Sequence, residues 1–131
     1  MADGLQVDLA CEPRSARLAR QELERFRGSL SETRFGDLQL LVSELVADAT
    51  GGLGSGPKQT VRLSAEGDED RVRAAVRVGA GAYSLSSTPP EPGEIGWGPY
   101  LVVRLSDYWG LRRGRDGATV WFEISSQSTQ G

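Results

Sequence analysis

Two carboxylates stand four residues apart in residues 41–49, a segment whose apolar spacing is typical of a helix. On a helix, Glu44 and Asp48 would share one face one turn apart. Like charges at this spacing destabilise a helix by about 0.2–0.5 kcal/mol. The pair is therefore either a solvated helix edge or a magnesium-phosphate site, in which one acid polarises a nucleophile and the other ligates the metal.

Composition excludes several other kinds of chemistry. The chain has no histidine, which removes Ser-His-Asp catalysis, imidazole metal ligands and a histidine pH switch. Cys11 is the only cysteine, so neither an internal disulfide nor a thiolate zinc site can form within the chain. Because the net charge is −3, we do not expect the chain to bind nucleic acid strongly through electrostatic attraction.

Length and hydropathy predict a single folded domain over residues 1–131, with a frayed tail at about 126–131. Hydrophobic residues at 38% and charged residues at 25% are typical of a globular chain. No apolar run approaches the roughly 20 residues that span a bilayer. The first residues carry acids and lack the pattern of a secretory signal, so we expect a cytoplasmic protein.

Two amphipathic helices are predicted before the first pair of strands. The first, at about 14–30, carries one apolar stripe, and the second, at about 33–49, carries the acidic pair. The Gly/Pro-rich residues 50–57 are expected to end the second helix, because glycine and proline are the poorest helix formers. The inward-facing residues of the second helix are predicted to be Phe35, Leu38, Leu41, Val42, Leu45 and Val46.

Alternating apolar and polar residues predict five strands. They lie at about 5–10, 61–65, 72–78, 108–111 and 120–124, with a short helix near Pro99. Alternation of this kind indicates a sheet with one buried and one wet face. The order of elements predicts an α+β fold, a two-layer α/β sandwich with helices on one face of a mixed, mostly antiparallel sheet.

Residues 43–49, Ser-Glu-Leu-Val-Ala-Asp-Ala, resemble the Ser-Glu-Leu-Val-x-Asn-Ala box of the GHKL (histidine-kinase-like) ATPase superfamily. Within that superfamily, the chain resembles the small anti-sigma-factor serine kinases of the RsbW and SpoIIAB type. Residues 13–20 resemble their opening Pro-x-x-x-x-x-Ala-Arg helix, and residues 96–102 are similar to their Gly-x-Gly-Leu-x-Leu-Val lid-end motif. Residues 105–110 and 117–122 are similar to the closing pattern. The resemblance covers nearly the whole chain and implies a Bergerat-type ATP-binding fold.

The resemblance also implies roles for particular residues. Glu44 would be the catalytic base that acts on the nucleophile's proton, and Asp48 would ligate magnesium. The implied nucleotide-binding residues are Gly79, Gly81, Gly96, Gly98, Gly117 and Thr119. ATP and Mg²⁺ are the implied cofactors. A sigma factor, a STAS-type anti-anti-sigma protein, or both are the implied partners, with no nucleic acid or membrane contact, and relatives of this type form homodimers.

The chain departs from the family pattern in its nucleotide site. Asp48 replaces an asparagine, which adds negative charge beside a triphosphate and removes an amide donor. The aspartate that reads adenine is also missing: the neighbouring glycines align Arg77 with it, whereas strand parity aligns Val78. The loss of that acceptor would weaken binding by roughly 10–100-fold. The histidine that often ends the box is absent, with Gly51 and Gly52 in its place.

Three functions remain open on these residues. The first is a regulatory protein that binds a sigma factor or its antagonist without catalysis. The second is an active ATP-dependent serine kinase that phosphorylates an anti-anti-sigma factor. The third is an interaction domain whose sheet carries arginines that touch an acidic partner, although the same arginines also suit a solvated face. Those arginines are Arg62, Arg71, Arg73 and Arg77.

Overall fold

The computed structural model describes residues 3–10, 12–52, 60–78, 97–114 and 117–126. The strands are β1 (Asp3–Ala10), β2 (Thr60–Gly67), β3 (Arg71–Val78), β4 (Tyr108–Gly114) and β5 (Gly117–Ser125). The α-helices are α1 (Ser15–Glu22), α2 (Glu32–Gly52) and α3 (Trp97–Leu105), and a 3₁₀ helix, Leu23–Ser29, follows α1. The predicted succession of helices and strands is confirmed.

The five strands form one sheet in the order β1-β2-β3-β5-β4. Every neighbouring pair in the described part of the sheet is antiparallel, so the predicted mixed sheet is antiparallel throughout that part. Buried and exposed residues alternate along β2 and β3, because successive side chains on a strand point to opposite faces. The predicted two-layer α/β sandwich is confirmed.

The helices cover the face of the sheet on which the apolar residues lie. A Cβ added to Gly67 of β2 would stand 2.5 Å from the ring of Phe26, so the 3₁₀ helix packs directly on this strand. Phe26, Phe35 and Phe122 are among the largest fully buried side chains of the core between the layers. No helix among the described residues is long and apolar enough to cross a bilayer.

The first predicted helix is divided in the structure. It is α-helical as far as Glu22 and continues as the 3₁₀ helix. In a 3₁₀ helix, residues three apart lie one above the other. Two nitrogens of Arg27 donate hydrogen bonds to the Glu24 carboxylate at 3.0 and 2.9 Å, a pair with this spacing. Leu23 and Phe26 are also three apart, and both are fully buried. The 3₁₀ helix therefore keeps these two apolar side chains on its inner side.

The start of α2 is attached to the far end of β5 by a buried arginine. Arg34, only 9% exposed, donates a hydrogen bond to the Ser125 carbonyl at 3.1 Å and bonds with the carboxylates of Asp37 at 2.7 Å and Asp107 at 3.4 Å. From this anchor α2 runs to Gly52, three residues beyond the predicted end at Ala49. Glycines cost a helix least in its final turn, where fewer backbone hydrogen bonds depend on them.

Candidate functional site

The acidic pair lies in the last part of α2, far along the helix from the anchor at Arg34. Asp48 lies about 21 Å along α2 from Arg34, at about 1.5 Å per residue. Ala118 lies about 23 Å along β5 from the anchor at Ser125, at about 3.3 Å per residue. Ala118 is the register partner of Val78, the last residue of β3. Helix α2 packs on both β3 and β5, and its length from the anchor to Asp48 is close to the length of β5 from the anchor to Ala118.

Helix α3 approaches α2 closely beside the acidic pair. A Cβ added to Gly98 would stand 2.8 Å from the backbone N and Cα of Leu45, so a larger residue would force the two helices apart. The Gly98 N–H donates a hydrogen bond to the Asp48 carboxylate, Oδ2, at 2.8 Å. The structure therefore brings together two of the predicted site residues, and it joins them to each other.

This hydrogen bond places a negative charge at the first turn of α3. Backbone N–H groups in a helix's first turn have no partner within the helix, and the helix dipole favours an anion there. A hydrogen bond to a carboxylate is also stronger than one between neutral groups. The side chain of Asp48 thus takes the N–H donor of Gly98, a residue that the family resemblance assigned to nucleotide binding.

Glu44 is half-buried one turn before Asp48. Burial raises the pKa of the Glu44 carboxyl above its ordinary value, and repulsion from the Asp48 carboxylate raises it further. A raised pKa makes a carboxylate a stronger proton acceptor, which suits a general base. It is also the expected result of holding two carboxylates on one partly buried helix face.

The buried strand positions where β3 ends and β5 begins are apolar. Val78 is 1% exposed and Ala118 is 3% exposed, and both face the helix layer. Arg77 lies on the opposite face of β3, where its side chain is exposed. Arg77 and Val78 are the two residues that align with the family's aspartate. Only Val78 lies on the face of β3 that packs against the helices. A valine and an alanine offer no acceptor to the exocyclic amine of a purine.

Thr119 does not join the acidic pair. It alternates with the buried Ala118 and Val120, so its side chain points away from the helix layer. Its register partners are Arg77 on β3 and Arg112 on β4. The outward orientation of Thr119 follows from the predicted inward orientation of Val120, because inward residues on a strand recur at every second position.

The remaining predicted glycines fall into two groups. Gly117 opens β5 opposite Gly114, with a φ of 150° that favours glycine over other residues. Gly79, Gly81 and Gly96 lie outside the described residues.

Among the described residues, Glu44 and Asp48 fit magnesium only in part. No group of three or more potential protein ligands is present among them. Magnesium often takes one or two carboxylates and completes its shell with water and substrate phosphates. Glu44 and Asp48 match that donor set, but the Gly98 hydrogen bond already engages one of them.

The sequence matches the histidine kinase-like ATPase domain family over residues 9–124. The chain therefore belongs to the histidine kinase-like ATPase domain family, and the predicted superfamily membership is confirmed. Its fold is similar to that of the RsbU and RsbW domains of Rv1364c from Mycobacterium tuberculosis, with a TM-score of 0.70 and 18% identity over 94% of this chain. The chain spans 32% of the length of that solved chain. No curated protein matches the sequence significantly.

Proposed function

We propose that the chain is a regulatory protein of the anti-sigma-factor type, which binds a sigma factor, a STAS-type anti-anti-sigma protein, or both, and binds Mg-ATP only weakly. The observation that carries the proposal is the hydrogen bond from the Gly98 N–H to the Asp48 carboxylate. A phosphate at the first turn of α3 would have to displace this carboxylate or lie beside it. Displacing the carboxylate breaks its hydrogen bond, and a phosphate beside it is repelled by its charge. Both effects weaken phosphate binding more than an uncharged side chain at position 48 would.

The apolar end of the site supports the same conclusion. A charged acceptor for the exocyclic amine would contribute roughly 1.5–3 kcal/mol, and neither Val78 nor Ala118 supplies one. Phosphoryl transfer depends on positioning the nucleotide before it depends on a base. A site that positions nucleotide poorly therefore favours a binding role over a catalytic one.

Isothermal titration calorimetry with Mg-ATP tests the proposal directly. We expect a dissociation constant in the high micromolar range or weaker, and no nucleotide in the purified protein. The double variant Val78→Asp/Asp48→Asn should bind Mg-ATP more tightly, because it restores the acceptor and removes the repulsive charge. Because Val78 is buried, the melting temperature of each variant must be measured alongside. Tight binding by the parent chain would overturn the proposal.

A second candidate is an active serine kinase that phosphorylates an anti-anti-sigma protein. One observation favours it: Glu44 is retained, half-buried, and has a raised pKa. The variant Glu44→Ala separates the two functions. In a binding regulator, this change leaves affinity for the sigma factor or antagonist within about 1 kcal/mol of the parent, as for a substitution away from a hot spot. In a kinase, it abolishes phosphorylation of the antagonist, measured by mass spectrometry, and abolishes regulation in cells while binding persists.

The family resemblance adds two further parts to the proposal, a homodimer and a cytoplasmic location. Light scattering on the eluting peak of a sizing column measures the mass in solution. A mass equal to that of one 14.1 kDa chain at every concentration would remove the dimer from the proposal.

A further inference from the structure

The face of the sheet that points away from the helices carries a row of polar residues across all five strands. Strand pairing places these residues side by side, one from each strand. In spatial order the row consists of Asp8, Arg62, Arg77, Thr119 and Arg112. We call it the arginine row. Neighbouring members lie on adjacent strands, whose backbones are about 4.8 Å apart.

The arginines of this row differ in their partners. Arg62 donates a hydrogen bond to the Asp8 carboxylate at 2.9 Å, which neutralises it at one end. Arg77 and Arg112 flank Thr119 at the other end, and both are exposed. Within the described part of the chain, neither forms an ion pair. Two uncompensated guanidinium groups and a hydroxyl between them therefore face outward together.

An aromatic surface lies directly beside these two arginines. Trp121 follows Thr119 on the same face of β5, and its register partner on β4 is Gly110. A Cβ added to Gly110 would overlap the indole ring, so the ring lies over the bare backbone of β4. The Arg73 guanidinium lies 4.5 Å from the centre of that ring. Tyr108, 60% exposed, extends the same surface by one more row.

Charge is distributed unevenly between this face and the rest of the molecule. The chain carries a net charge of −3. The outward positions of the strands with described side chains nevertheless carry five arginines and three carboxylates. The arginines are Arg62, Arg71, Arg73, Arg77 and Arg112; the carboxylates are Asp8, Glu66 and Glu123. The face is therefore positive on a negative protein, which complements an anionic partner.

We propose that the outward face of β3, β5 and β4 docks an acidic segment of a protein partner. Carboxylates of that segment pair with Arg77 and Arg112, where a guanidinium matches a carboxylate in two-pronged geometry. The apolar part of the segment lies on Trp121 and Tyr108. Arginine, tryptophan and tyrosine are the residues that most often dominate the energy of protein interfaces.

A nucleic acid fits this face less well than a protein segment does. A phosphate backbone requires many basic contacts, and it binds in proportion to the phosphates that are neutralised. Among the described residues, Arg77 and Arg112 are the two arginines of the row without an ion pair, and Asp8, Glu66 and Glu123 lie on the same face. The occupant is a protein partner, so this inference rests on the proposed regulatory role, but it requires no nucleotide.

A synthetic peptide of repeating Glu-Leu-Glu-Ser, labelled with fluorescein, tests this surface without a known partner. We expect saturable binding by fluorescence anisotropy that weakens as salt is added. The Gln-Leu-Gln-Ser peptide should bind at least tenfold more weakly. Amide chemical shifts in ¹⁵N-labelled protein should change mainly at Arg77, Gly110, Arg112, Thr119 and the indole N–H of Trp121.

Charge reversal supplies the matched variants. Arg77→Glu/Arg112→Glu should weaken binding of the acidic peptide at least tenfold without lowering the melting temperature, because both side chains are exposed and form no ion pair with the described residues. Arg104→Glu places the same change on an exposed residue of α3 and should leave affinity within twofold. Circular dichroism of both variants without peptide checks that each remains folded.

Three results would overturn the inference: equal binding of the glutamate and glutamine peptides, shift changes confined to the helix layer, or full affinity in the double variant. A fluorescein-labelled single-stranded oligonucleotide that binds more tightly than the peptide and is lost in the double variant would assign the face to nucleic acid instead. Tight Mg-ATP binding would overturn the weak nucleotide site proposed above and leave the peptide result unaffected. Failure of the two proposals is therefore distinguishable.

Discussion

The Asp48 carboxylate accepts a hydrogen bond from the Gly98 N–H at 2.8 Å, although 50 positions separate the two residues in the chain. The bond joins α2 to the first turn of α3, where a Cβ added to Gly98 would stand 2.8 Å from the backbone of Leu45. An anion that belongs to the protein thus stands at a glycine to which the family resemblance assigns nucleotide binding. The proposed function therefore links stability and nucleotide affinity through one side chain.

Two substitutions of Asp48 should distinguish the effect of its hydrogen-bond acceptor on stability from the effect of its charge. Asp48→Ala leaves the Gly98 N–H without its acceptor and should lower the free energy of unfolding by about 1–3 kcal/mol. Asp48→Asn keeps an oxygen acceptor and relieves repulsion with Glu44, so its loss should be smaller. Urea denaturation measures both. Equal losses for the two variants would show that the hydrogen bond contributes little.

Gly98→Ala tests the close approach of α3 to α2. The added methyl group would stand 2.8 Å from the backbone of Leu45, which cannot move away as a flexible side chain would. We expect a destabilisation of about 1–3 kcal/mol, typical of overpacking. Gly36→Ala is the matched control, because Gly36 lies within α2 with nothing within 4 Å of an added Cβ. That control should stabilise the protein by about 0.5–1 kcal/mol. A neutral Gly98→Ala, by thermal or urea unfolding, would contradict the described helix contact.

The raised pKa of Glu44 predicts how stability depends on pH. Above the ordinary glutamate pKa of 4.5 the folded protein retains this proton more readily than the unfolded chain. Stability from this group therefore falls as pH rises through the raised pKa, and stays lower at neutral pH. Glu44→Gln removes the charge, so its melting temperature should exceed that of the parent at pH 7. The advantage should disappear below the ordinary pKa, where both states of the parent are protonated. A difference that is constant with pH would argue against the raised pKa.

Arg34 should be among the most sensitive polar positions of the chain. Arg34→Met removes the partner of the Asp107 carboxylate, whose side chain is only 5% exposed. Breaking a buried ion pair in this way typically costs about 3–5 kcal/mol. Arg62→Met breaks the exposed pair with Asp8, which water screens, and should cost far less. Chemical denaturation of the two variants provides the comparison, and similar losses would show that the α2 anchor is unimportant.

The layers and the core were predictable because they follow from short-range periodicity. The inward residues of α2, from Phe35 to Val46, and of β5, from Val120 to Ile124, repeat at the spacing of a helix and a strand. The 3₁₀ helix at Leu23–Ser29 was not predictable in this way, because the apolar spacing there fits either helix type.

The candidate site was predictable only in part. The shared helix face of Glu44 and Asp48 follows from their spacing. The contact of Asp48 with Gly98 does not, since it depends on how two distant helices pack. Thr119 was assigned to the nucleotide site by motif, whereas the parity of its own strand points it to the other face.

The strand order has a consequence for the folding rate. Two pairings, β2 with β3 and β4 with β5, join segments that follow each other in the chain. The other two join Ala10 to Thr60 and Val78 to Ala118, which are about 50 and about 40 positions apart. Each distant pairing must close a long loop before its contacts compensate the lost chain entropy. High contact order of this kind is associated with folding in about milliseconds to seconds. The two hairpins are therefore expected to form first, and the edge strand β1 is expected to join only after the helices that precede β2 have collapsed onto the sheet.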